Sequence, residues 1–162
     1  MGIAMLAWIV AIPLLGGMTG LRTMTPIAVV CWFAWRGDLD VAGTWGFWCA
    51  KPAAVIVFTL FALGELVGDK LPQTPNRTAL GPLVARLCFG GLVGALAATG
   101  LHGSAFEGIL LGSVSALVGA FLGFHIRHHL VKQNGMADFA VALVEDALAI
   151  FLSILAMGIV TG

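Results

Sequence analysis

The sequence predicts an all-α protein, a polytopic bundle of about six transmembrane helices, and three observations lead there. Sixty per cent of its residues are hydrophobic and only 10% are charged, against roughly a quarter charged in an ordinary soluble domain. Apolar runs of helical length recur from one end of the chain to the other, each closed by glycine, proline or charge. The short alternating strands of a membrane β-barrel are missing. The 162 residues suit one membrane domain, 1–162, and leave no room for a soluble catalytic domain.

Helix 1 is expected from about Ile3 to Thr19, kinked at Pro13. Its start lacks the basic region and cleavage site of a signal peptide, so it is expected to be retained. The stretch G-G-M-T-G-L-R-T-M-T-P, residues 16–26, then interrupts the apolar pattern. Thr23 or Thr25 can cap a second helix, and Pro26 suits its first turn. That helix ends near Trp35 and is short, so it is either a short span or a re-entrant half-helix. Trp32, Trp35, Trp45 and Trp48 bracket a polar loop, the pattern of anchors at a membrane interface. Helix 3 is expected from Pro52 to Lys70, with Pro72 and Pro75 ending it. Helices 4, 5 and 6 follow at Pro82–Leu101, Phe106–Val131 and Phe139–Val160.

Three helices on each side of the loop at Leu71–Gly81 invite a 3+3 inverted repeat, with halves 1–78 and 82–162. The likeness of Ala62-Leu63-Gly64-Glu65 to Ala142-Leu143-Val144-Glu145 is its modest support. With six crossings, the loops after helices 1, 3 and 5 gather Arg22, Lys70, Arg77, Arg86, Arg127 and Lys132, and the alternate loops hold Arg36 and Lys51. This bias puts the first set in the cytoplasm and both termini outside. G-x-x-x-G spacings at Gly16/Gly20, Gly64/Gly68, Gly90/Gly94, Gly108/Gly112 and Gly119/Gly123 predict close helix packing. Gly64 and Gly68 are expected to form such a seam on helix 3.

Net charge is zero, so nothing points to nucleic acid. Cys31, Cys49 and Cys88 are widely spaced and suit small buried positions better than a metal site or a disulfide framework. No phosphate-binding loop, dinucleotide fingerprint or nucleophile elbow is present, so neither a cofactor nor an enzyme is expected. His125 and His129 share a helix face, but the basic end His125–Lys132 is equally explained by contact with lipid phosphates.

The residues that can carry function are ions in apolar surroundings, which are costly and are paired or hydrated. The candidate binding residues for an ion or solute are Arg22, Thr23, Glu65, Asp69, Lys70, Arg127, Glu145 and Asp146. Glu65 and Asp69 are four apart and share a helix face. Glu65 is expected within salt-bridge or one-water reach of a basic side chain from another helix, with Arg22 and Arg127 the leading candidates. Glu145 and Asp146 diverge by about 100° around their helix, so one is expected to face the bundle centre and the other a neighbouring helix or a cavity.

G-L-R-T-M-T-P, E-L-V-G-D-K-L-P, G-x-x-x-G-x-H-I-R and V-E-D-A-L-A-I occur in that order over nearly the whole chain. In this the sequence resembles a family of small bacterial membrane proteins classed as domain of unknown function 4126. The resemblance implies an inner-membrane location with these charged motifs at the centre, and it implies no activity. Two readings stay open. One is a small transporter or channel-like permease for an ion or polar solute. The other is a non-transporting protein, a lipid-headgroup binder or assembly partner, whose ions form a structural network. Membrane lipids, a small solute or ion, and a second copy of the chain are the partners these readings allow.

Overall fold

The apolar runs form six helices in the expected order, and no strand occurs among the described residues. The computed structural model describes residues 5–69 and 79–162. The helices are α1 (Ala7–Leu21), α2 (Met24–Arg36), α3 (Pro52–Gly68), α4 (Leu80–Gly100), α5 (Ala105–Gln133) and α6 (Asp138–Thr161). A 3₁₀ turn at Trp45–Ala50 leads into α3. Helices α4, α5 and α6 are long and apolar enough to cross a membrane, whereas α1 and α3 are shorter apolar helices.

Pro13 perturbs α1 as expected, through its backbone. Proline has no N–H to donate to the carbonyl of Ile9, and the preceding turn Ala7–Ala11 widens to a π-helix in which the Ile12 N–H bonds the Ala7 carbonyl. The interruption after α1 is a true break. Arg22 is extended at φ −135° and ψ 109°, and α2 begins at Met24, two residues before Pro26. The 13 residues of α2 span about 20 Å, short of the roughly 30 Å hydrocarbon layer. Gly37, at φ 84°, ends α2 in the left-handed conformation that glycine adopts without strain.

The ends of α1, α3 and α5 and the start of α6 gather at one end of the bundle, joined by the ion pairs described below, and hydrogen bonds to Glu65 bring the start of α2 to the same place. The apolar core lies toward the other end. It is built from Ala11, Ile12 and Leu15 of α1, Val30 and Cys31 of α2, Val93, Leu96 and Ala97 of α4, and Ala156 and Met157 of α6. At that far end the indole of Trp45 donates to Thr99 Oγ1 at 3.0 Å, and that of Trp32 donates to Thr59 Oγ1 at 3.0 Å. Trp32, Trp35 and Trp45 stay about half exposed.

Glycine packing is real, but it is not where helix 3 was expected to show it. A Cβ added at Gly64 or Gly68 would meet nothing within 4 Å. The seams are α4 on α5 and α1 on α5. A Cβ at Gly94 would strike the Gly108 carbonyl and one at Gly112 the Gly90 carbonyl, while one at Gly16 would lie 2.5 Å from the Gly112 oxygen. Helix α5 is thus clasped through backbone contact by an antiparallel and a parallel neighbour. The serine hydroxyls join in: Ser113 Oγ donates across the first seam to the Leu87 carbonyl at 3.1 Å. Only Val55 and Ala62 of α3 are buried, so that helix lies at the periphery.

Candidate functional site

The break between α1 and α2 creates two needs at one place. It buries the side chain of Arg22 completely, and it leaves the first amides of α2 without intrahelical acceptors. Carboxylates from α3 and α6 answer both.

Glu65, in the last turn of α3, accepts the Thr23 N–H at Oε1 (2.7 Å) and the Met24 N–H at Oε2 (2.8 Å). The direct salt bridge is thereby replaced by backbone donors, since neither Arg22 nor Arg127 bonds Glu65. A carboxylate spanning two orphan amides at the positive end of a helix dipole satisfies that helix start as a side-chain cap would. Thr23 takes part through its backbone, and its hydroxyl makes no cap. The fixed amide pair is a bidentate donor site already in place, and the Glu65 carboxylate fills it.

Asp69 is the residue after α3. Its Oδ2 lies 2.7 Å from Arg22 Nη1 and 2.7 Å from Arg127 Nη1, so a single oxygen sits between two guanidinium groups. Arg22 turns its Nε to Asp146 Oδ1 at 2.6 Å, and its Nη2 lies 3.9 Å from Glu145 Oε2. Arg127 donates from Nη1 to Glu145 Oε2 at 3.3 Å. Its Nε and Nη2 grip both oxygens of Asp138 at 2.8 Å, the fork-to-fork geometry that arginine makes with a carboxylate. The adjacent acids Glu145 and Asp146 therefore both reach Arg22, against the expectation that they would part. A guanidinium is broad enough to present Nε to one and Nη2 to the other.

Burial grades along the network. The Arg22 side chain is 0% exposed, Asp146 9% and Glu145 10%, while Asp69 and Arg127 are 15% and 17% exposed and Asp138 is 58% exposed. The network thus runs from the bundle interior to the surface at one end. Asp138 was missed from the sequence. Its signal was an acid in the first turn of a helix, eleven residues past an arginine at the end of the preceding one. Lys70 lies outside the described residues. Arg86, at the start of α4, is buried at the same end.

The remaining reactive groups stand apart. Cys31 and Cys49 are buried, and burial pushes the Cys49 thiol up to about 11, which disfavours the thiolate a metal would need. Cys88 is exposed, contrary to its expected buried position, because it lines the open groove between α4 and α5. His125 places Nδ1 2.8 Å from the Phe121 carbonyl on the exposed side of α5. Among the described residues no three metal-ligating side chains gather.

Three apolar grooves are bounded by described residues, of about 340 Å³ between α1 and α5, about 600 Å³ between α4 and α5 beside Trp45, and about 370 Å³ between α2 and α3 beside Trp32 and Trp35. Comparison with curated proteins and with solved structures finds no match. The model of one family, Domain of unknown function (DUF4126), matches residues 9–159. With nearly its whole length matched, including the broken helix and every carboxylate of the network, the chain belongs to the DUF4126 family.

Proposed function

We propose that this protein is a multi-pass transporter or channel-like permease of the bacterial inner membrane, without catalytic activity, for an ion or a small polar or anionic solute. The observation that carries this reading is a fully buried arginine set in the break between two helices and held by carboxylates from two others. Buried ion networks are no more stabilising than apolar packing of the same volume. Charges retained among membrane helices commonly serve solute or ion passage, and broken helices supply backbone ends to such sites.

In this reading all six helices cross, α1, α2 and α3 by thinning the bilayer locally. Both termini lie outside, and the charged end with Lys70–Arg86 faces the cytoplasm. Glu65 lies in the last turn of α3 and Glu145 in the second turn or so of α6, so these two do not hold equivalent places in a 3+3 inverted repeat. The functional reading rests on the shared charged end and not on a repeat.

The test is electrometry on proteoliposomes with a panel of protons, alkali cations and small organic and inorganic anions. A current above that of empty liposomes, reduced in Asp69→Asn and in Glu145→Gln, is expected. Silence with every solute would move the balance to a second reading, a structural network in a lipid-headgroup binder or self-associating partner. That reading is favoured by the closure of the pairs around Arg22 and by the exposed His125, His128, His129 and Lys132 at the same end.

A further inference from the structure

The outer side of α5 joins two features that lie apart from the ion network. One is the apolar groove of about 340 Å³ between α1 and α5. It is lined by Met18 and Leu21 of α1 and by Val114, Val118, Leu122 and Ile126 of α5, and the four α5 residues are exposed. The other is the basic end of α5. His125 is seven residues past Val118 and His129 seven past Leu122, so both imidazoles continue the groove face of the helix. Lys132 follows in the last turn, and all three side chains are exposed.

Helix length sets these features at different depths of the bilayer. Helix α5 has 29 residues, about 44 Å of rise against roughly 30 Å of hydrocarbon. With Glu107 of its first turn at one interface, the other falls about 20 residues on, near Arg127. His129 and Lys132 then lie among the headgroups, and the groove lies in the hydrocarbon beside them. From Ile126 back to Val114 the helix rises about 18 Å, close to the roughly 15 Å of hydrocarbon in one leaflet.

Charge narrows the occupant further. His125 donates from Nδ1 to the Phe121 carbonyl at 2.8 Å, which leaves, on this face, the ring N–H of His129 and the ammonium of Lys132 to meet a ligand. No acidic residue occurs in α1 or in α5 after Glu107 to offset them. A second copy of the chain, docked groove to groove about a two-fold axis, would set one Lys132 against the other. A phospholipid meets both features at once, with an acyl chain along the groove and its phosphate at the basic end.

We infer that the groove between α1 and α5 binds one anionic phospholipid of the leaflet at the charged end, with the headgroup held by His129 and Lys132. The site is on the outer face of the bundle, and the inference goes beyond the transport reading.

The experiment titrates the full chain, in a neutral detergent, with phosphatidylglycerol or with phosphatidylcholine of the same acyl chains, and native mass spectrometry counts the bound lipid. One phosphatidylglycerol should bind at least about five-fold more tightly than phosphatidylcholine, the effect of a single lysine near an anionic headgroup. His129→Gln combined with Lys132→Gln should remove that preference and leave phosphatidylcholine binding unchanged. Leu122→Trp, which crowds the groove, should weaken both lipids. Lys51→Gln, beside the 3₁₀ turn at the far end of the bundle, should change neither.

Equal affinity of the wild type for the two lipids would overturn the inference. So would a preference that survives the double variant or is lost in Lys51→Gln. A dimer that excludes the lipid and is broken by Leu122→Trp would also overturn it, by assigning the groove to a second copy. The double variant changes only exposed side chains, so it tests the headgroup contact even if Leu122→Trp fails to fold. A protein that binds the lipid in this pattern but passes no solute in liposomes would uphold the inference and remove the transport reading.

Discussion

Replacing Arg22 by methionine should destabilise the bundle more than any other single change in the network. The guanidinium is completely buried and meets Asp146 at 2.6 Å and Asp69 at 2.7 Å. Unit charges about 4 Å apart attract by about 4 kcal/mol at an effective dielectric of about 20. Desolvation of both partners cancels much of that gain, so the net value of the pair is small. Breaking it from one side is different, because carboxylates are then left in the interior without the guanidinium, at a cost of about 3–5 kcal/mol. Asp146→Leu alone should cost less, because Arg22 loses the partner of its Nε but keeps Asp69 at 2.7 Å. The combined Arg22→Met, Asp146→Leu variant should fall short of the sum by about 1–3 kcal/mol, the coupling expected of contacting residues. Reversible unfolding in mixed detergent micelles, followed by helical circular dichroism, measures each arm. Additivity within about 0.5 kcal/mol would refute the reasoning, as would an Arg22→Met variant as stable as the wild type.

Three further outcomes follow from the same structure. Gly112→Leu drives a side chain into the Gly90 carbonyl and should cost at least the 1–3 kcal/mol or so of an overpacked core, whereas Gly64→Leu should stay within about 0.5 kcal/mol; equal melting shifts for the two would contradict the assigned seams. Glu65→Ala should speed amide hydrogen exchange at Thr23 and Met24 and cost about 0.5–2 kcal/mol, the value of a helix cap; unchanged exchange at both amides would show that Glu65 is not the cap. An impermeant thiol reagent added outside intact cells should label a cysteine at Gly37 and miss one at Met136, both exposed positions at opposite ends of the bundle, and the reverse pattern would invert the orientation.

The fold was largely legible because membrane helices announce themselves by apolar length and are punctuated by glycine and proline. The π-turn before Pro13, the break at Arg22 and Thr23 and the short second helix all fall within the stretches that those residues mark. The site was legible in membership, since few ions occur in such a chain, and Arg22, Asp69, Arg127, Glu145 and Asp146 do converge. Its pairings were not. Glu65 found backbone amides because a helix start offers donors that no side-chain inventory records. Glu145 and Asp146 share Arg22 because a guanidinium has width, which a point-charge argument on a helical wheel omits. Gly64/Gly68 and Gly90/Gly94 have the same spacing, and only the tertiary neighbours separate a pair with room for side chains from a seam. Asp138 escaped notice since it lies in an ordinary helix start and gains its role from Arg127 across a turn.

The transport reading requires that the interior beyond the charged end be reached by water from each side of the membrane in turn. Ser153 of α6 tests this most directly, being fully buried, with a hydroxyl that bonds no described group, and two turns beyond Asp146 toward the apolar core. In a chain with Cys31, Cys49 and Cys88 replaced by alanine, Ser153→Cys should react with a small charged thiol reagent supplied from the cytoplasmic side and, separately, from the outside. Protection of that thiol from both sides, in a protein that folds and inserts normally, would contradict alternating access and leave the network as structure.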